Sequence, residues 1–179
     1  MNKALVLDTS ILCVWLQIPG KDTCGSVKTE FWDYARVKAR LDKEEQAGST
    51  FVLPLAAIIE TGNYISQCKD ETVRPKLAKQ FADLIRKTAE QESPWAAFIQ
   101  QVELWNKDRM VRLADEWPRW AAQGLSMGDA TIRDVADYYA KSGRDVEILT
   151  GDQQLRRSYQ PPSTGIPQPR RRAGDATRI

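Results

Sequence analysis

The sequence predicts an α/β domain built around a parallel sheet, and three observations carry that expectation. "KALVL" (3–7), "TFVLP" (50–54) and "DVEILT" (145–150) are short apolar runs of the kind found in strands covered on both faces. Long stretches with apolar residues three and four apart lie between them. The first run also ends at a polar turn, Asp8-Thr9-Ser10, and the third at the turn that opens with Gly151-Asp152. The 179 residues suffice for one domain with a real core.

The elements follow in order. Thr9 or Ser10 can cap a helix that runs to about Gln17, where Pro19-Gly20 ends it. Val27, Phe31, Tyr34 and Leu41 share one side of a helix expected over 26–47, stopped by Gly48. Pro54 suits the first turn of the helix "PLAAIIETGNYISQC". Leu77, Phe81, Leu84, Ile85 and Thr88 mark a helix over 72–91. Ser93-Pro94 reads as cap and first-turn proline of a helix carrying Trp95, Phe98, Ile99, Val102 and Trp105. Met110, Leu113, Ala114 and Trp117 mark the next, which Pro118 is expected to break or kink. The six tryptophans fall on these stripes and are expected in the core. "LSMGDATIRDVADYYAKSG" is a helix capped by Ser126, with Ile132, Val135, Ala136 and Tyr139 inward and Gly143 at its end. The third strand leads into a turn, "GDQQL". Residues 1–158 are read as the domain and 159–179 as a loosely ordered proline- and arginine-rich tail.

Composition narrows the chemistry. There is no histidine, which excludes Ser-His and Cys-His nucleophile systems and histidine-ligated metals. Three cysteines without a Cys-x-x-Cys pair suggest neither a disulfide framework nor a zinc site. Asp8 interrupts the apolar N-terminal stretch and no run reaches a membrane span, so a cytoplasmic protein is expected. Net charge is +2, yet six arginines and one acid lie between Gln153 and Ile179. That basic tail is either a phosphate or acidic-partner contact or a solvated tail.

Four carboxylates stand where the fold class would gather them. Ligands of an open parallel sheet bind beyond the carboxyl ends of its strands. Asp8 follows the first strand and Asp152 the third. Glu60 lies in the helix after the second strand, and Asp129 opens the helix before the third. Singly, each has a plain role: Asp8 as an N-cap, Glu60 facing solvent, Asp129 in a capping box with Ser126 or paired with Arg133, Asp152 in a turn. Together they would not all stay ionised unaided. A hard cation, Mg²⁺ or Mn²⁺, suits an all-oxygen set and would activate water on a phosphodiester. Asp8 would then be solvated at the strand end and paired with metal.

These residues resemble a PIN-domain ribonuclease of the VapC-type toxin kind. The resemblance rests on "LVLDTSIL" with Asp8, "LPLAAIIETGNYI" with Glu60, "GLSMGDATIRDVADYYA" with Asp129, and "EILTGDQQL" with Thr150 and Asp152. It covers most of residues 3–155, and the last two pieces are the most distinctive. It implies a three-layer α/β/α sandwich with a central parallel sheet, here with helix-rich insertions. It also implies metal-dependent endoribonuclease activity on Asp8, Glu60, Asp129 and Asp152, with Ser10 and Thr150 as supporting hydroxyls. RNA as substrate, an antitoxin protein and a homodimer are the implied partners. Arg133, one turn from Asp129, is the first candidate to contact substrate, followed by Lys21 and Lys28. The long segment 19–48 and the tail depart from a minimal member.

Two alternatives compete. A haloacid-dehalogenase-like phosphohydrolase also opens with a strand ending in Asp, but needs acids where this chain has Ser10 and Arg156. A non-catalytic PIN-like module binding RNA or protein would gain nothing from clustered carboxylates facing phosphates.

Overall fold

The computed structural model describes residues 3–26, 31–96 and 104–160. Three parallel strands, β1 (Lys3–Leu7), β4 (Thr50–Val52) and β5 (Asp145–Leu149), form a sheet in the order β4-β1-β5. Between β1 and β4 lie α1 (Thr9–Trp15), the short antiparallel pair β2 (Thr23–Cys24) and β3 (Trp32–Asp33), and α2 (Tyr34–Gln46). Between β4 and β5 lie α3 (Leu55–Ser66), α4 (Arg74–Ala89), α5 (Lys107–Ala121) and α6 (Met127–Lys141), and α7 (Gln153–Ser158) follows.

The alternation of strand side chains builds the layers. Leu5, Leu7, Phe51 and Leu149 point to one face, where Ile11, Leu12, Val37, Leu41, Ala57 and Phe81 of α1 to α4 cover them. Ala4, Val6, Val52, Val146 and Ile148 point to the other, under Ile132, Val135, Ala136 and Tyr139 of α6. Helices thus cover both faces of the sheet, an arrangement compatible with three α/β/α layers. α5 rests on α6 through Leu113, Leu125 and Ala130. Because β4 and β5 flank β1 on opposite sides, the chain reverses direction across the sheet at β1. That reversal opens a crevice beyond the carboxyl ends of β1 and β5.

Several expectations need correction. The helix expected over 26–47 starts at Tyr34: Trp32 and Asp33 pair with Cys24 and Thr23, and the Asp33 side chain accepts from the Arg36 N–H as N-cap. Ser93-Pro94 does not open a helix. Phe51 donates its N–H to the Pro94 carbonyl and accepts from the Ala96 N–H, which ties Trp95 to the outer edge of β4 as a strand-like bridge. Phe98, Ile99 and Val102 lie outside the described residues. Pro118 does not break α5, which continues to Ala121; Trp117 and Trp120 pack on the cluster of Leu113, Leu125 and Ala130 and hold that last turn. The tryptophans are not all core: Trp95 is 9% exposed and Trp105 45%. "GDQQL" is the start of α7. Tyr159, expected in the tail, packs against the cluster under α6, while 161–179 lie outside the described residues. Among the described residues no helix is long and apolar enough to cross a membrane.

Candidate functional site

Asp8 as a residue is 4% exposed, buried where a solvated side chain is expected. A buried carboxylate needs donors, and three meet its Oδ2. The Ser10 N–H reaches it at 3.3 Å as an N-cap bond, Ser10 Oγ at 2.6 Å and Thr150 Oγ1 at 2.7 Å. The direction of both hydroxyls is set from behind. Ser10 Oγ accepts from the Gly151 N–H at 2.9 Å, and Thr150 Oγ1 from the Asp152 N–H at 2.8 Å. A backbone N–H can only donate, so each hydroxyl is left to give its proton to Asp8. The end of β5 is thereby stitched to the end of β1.

The other acids are held by equally local bonds. Glu60 Oε2 accepts from Thr9 Oγ1 at 2.8 Å. Asp129 and Ser126 form a capping box: Oδ2 accepts from Ser126 Oγ at 2.7 Å and its N–H at 3.2 Å, and the Asp129 N–H donates back to Ser126 Oγ at 3.0 Å. Asp152 caps α7 through Oδ1, accepting from the N–H groups of Gln154 and Leu155 at 2.6 and 3.0 Å. In every case one oxygen takes the protein's hydrogen bonds. Asp8 Oδ1, Glu60 Oε1, Asp129 Oδ1 and Asp152 Oδ2 accept none among the described residues.

All four acids line one cleft of about 740 Å³, with Thr9, Ser10 and Ser126 beside them. They also feel one another. Burial raises the Glu60 carboxyl above its ordinary value, the Thr9 hydroxyl pulls it back, and the charges of Asp8 and Asp129 raise it further. Burial raises Asp129 too, opposed by its bonds from Ser126 and reinforced by the charges of Asp8 and Asp152. The donor set fits a hard divalent cation: oxygen only, with one free oxygen on each carboxylate. As the side chains stand, no three acids or thiols among the described residues form a ligating group, so closing on an ion requires side-chain rotation. Cys13 and Cys24 also line the cleft, but burial pushes the Cys13 thiol up to about 12 and raises that of Cys24. Neither is a thiolate at neutral pH, which leaves the chemistry to the carboxylates.

The expected basic contacts divide. Lys21 lines the cleft, with Nζ 4.0 Å from the centre of the Tyr64 ring. Arg133 does not. It forms no ion pair with Asp129, whose Oδ2 is engaged by Ser126; its guanidinium lies 4.4 Å from the Trp120 ring centre, in a neighbouring groove. Lys28 lies outside the described residues.

Two contributors were not foreseen from sequence. Thr9 holds Glu60, and Gly128 makes room for it: a Cβ at 128 would run into Glu60 Oε1. A signal for the second existed, since glycine inside a helix costs about 1 kcal/mol and needs a reason. Comparison with protein-family models, curated proteins and solved structures finds no match for the chain.

Proposed function

We propose that this protein is a metal-dependent endoribonuclease of the PIN-domain kind, acting as the toxin of a toxin–antitoxin pair. The observation that carries the reading is the convergence of four carboxylates from four separate elements on one cleft, each with an oxygen to spare. Asp8, Asp129 and Asp152 would hold Mg²⁺ or Mn²⁺, with Glu60 beside them. When bound, the cation polarises the scissile phosphate and lowers the pKa of an attacking water.

The protein's own groups have separable tasks. Ser10 and Thr150 hold Asp8 in one orientation, so it enters the site preorganised. Glu60 has a raised pKa and an unengaged Oε1, which suits it to take the proton from the attacking water. The water oxygen bonds to phosphorus as its proton passes to Glu60, the bond to the 3′ oxygen breaks, and a solvent water protonates that oxygen as it leaves. Lys21 offers a positive charge at the cleft wall for a neighbouring phosphate. An antitoxin would mask the site by laying a segment over this rim, and the active form is read as a homodimer.

The test is cleavage of mixed cellular RNA with Mg²⁺, Mn²⁺ or chelator, beside Asp129→Asn. Metal-dependent cutting lost in the variant is expected, with 5′-phosphate and 3′-hydroxyl ends. Cyclic-phosphate ends that form in chelator would contradict the mechanism, and no cutting with either metal would leave a module that binds without cleaving.

A further inference from the structure

Beside the acid cleft lies a groove of about 460 Å³ with the opposite charge. Arg119 of α5, Arg133 of α6 and Arg157 of α7 line it together with Gln123 and Gln154, and no carboxylate is among its described lining residues. None of the three guanidiniums ion-pairs with an acid of the described residues, although Glu116 and Asp129 each stand one helical turn before an arginine of the groove. Arg133 is held against Trp120, and its buried Nε has no acceptor. Three like charges from three helices gathered without counter-charge leave a site short of an anion.

The groove and the cleft share a wall. Leu125 lines the groove and Ser126 the cleft; Gln154 lines the groove and Asp152 the cleft. The wall is tight: Gly124, at φ 84°, has the Gln154 amide against it, where a Cβ would come within 2.9 Å. A polyanion crossing four carboxylates is repelled on either side of the one phosphate that matters, so cations must hold it next to them. Guanidinium forks match phosphate oxygens, and the glutamine amides add neutral donors.

We propose that Arg119, Arg133 and Arg157 form a phosphate-binding subsite for single-stranded RNA, holding nucleotides that flank the one over the acids. The proposal rests on the nuclease reading for its substrate but is tested apart from it. Binding of a short labelled oligoribonucleotide is measured in chelator across a salt series, for the wild type, for Arg119→Gln with Arg157→Gln, and for a control pair on α4, Lys76→Gln with Arg86→Gln. Arg119 and Arg157 are exposed, so the core is untouched, and thermal melting checks folding. Two lost phosphate contacts flatten the plot of log affinity against log salt by about 1.4, at roughly 0.7 per contact on a single strand. The control pair keeps the wild-type slope. An unchanged slope in the groove variant overturns the subsite, as does displacement of the RNA by polyglutamate at equal charge. A flattened slope beside a wild type that never cuts RNA keeps the subsite and removes the nuclease reading.

Discussion

Asp8 shows how a buried charge becomes a usable one. Its three donors all fall on Oδ2, which satisfies the burial requirement and leaves Oδ1 for a ligand. Thr150→Val removes one of those donors from a buried carboxylate. A loss of about 1–3 kcal/mol in denaturant unfolding is expected, together with roughly 10–100-fold weaker metal binding or cleavage. Gly128→Ala separates stability from function more sharply. Alanine gains about 0.5–1 kcal/mol in a helix, and the group it displaces is the mobile end of Glu60. The variant should melt no lower than the wild type yet cut RNA on the order of 10²-fold more slowly. Glu60 itself gives a pH test. A carboxyl whose folded pKa exceeds its unfolded value binds more protons when folded, so its contribution to stability falls as pH rises from the ordinary carboxylate range through the folded pKa. Glu60→Gln should therefore raise the melting temperature in chelator at neutral pH and abolish cleavage. A lower melting temperature would show that the charge is compensated within the protein.

At the scale of elements, what could be read depended on whether a segment's partner was near in sequence. β1, β5, α3, α4 and α6 were legible because apolar periodicity and caps are local signals, and α6 even carries its capping box in the sequence. The four acids were legible as site candidates because each stands at the end of such an element or early in one. Tyr34–Gln46 was mis-bounded because β2 and β3 exist only through their pairing with each other. The Trp95 segment was misread because its partner, Phe51, is far away in sequence. Arg133 looked like a partner for Asp129 at helical spacing, but the Ser126 hydroxyl and the Trp120 ring, set by tertiary packing, win both groups. At the other end of β1, Lys3, Arg40, Glu44 and Glu147 tie the N-terminal edge of the sheet to α2. Burial alone would raise Glu44, but bonds from Lys3, Ser49 and Arg40 hold its carboxyl down to about 2. That stability is complete above the ordinary Glu range and is lost as pH falls through about 2. Glu44→Gln should cost about 1–3 kcal/mol at neutral pH, with cleavage per folded molecule unchanged. Cleavage that fell with it would couple this edge to the site.

Across the whole molecule, a net charge of +2 hides a separation of charge. The reversal of chain direction at β1 gathers acids in a crevice, and α5, α6 and α7 gather arginines beside it. A cation that binds only the folded chain stabilises it by mass action. Saturation at a hundredfold over the dissociation constant adds about 2.7 kcal/mol, or roughly 5–10 °C in melting temperature for a chain of this size. The most direct measurement is therefore titration of Mn²⁺ followed by electron paramagnetic resonance, in wild type and in the double variant Asp8→Asn with Asp129→Asn. Loss of the free-ion signal at stoichiometric protein in the wild type, and its persistence in the variant, is the predicted result. Equal signals in both proteins would mean that the four carboxylates do not hold a metal, and the ribonuclease mechanism built on them would fall.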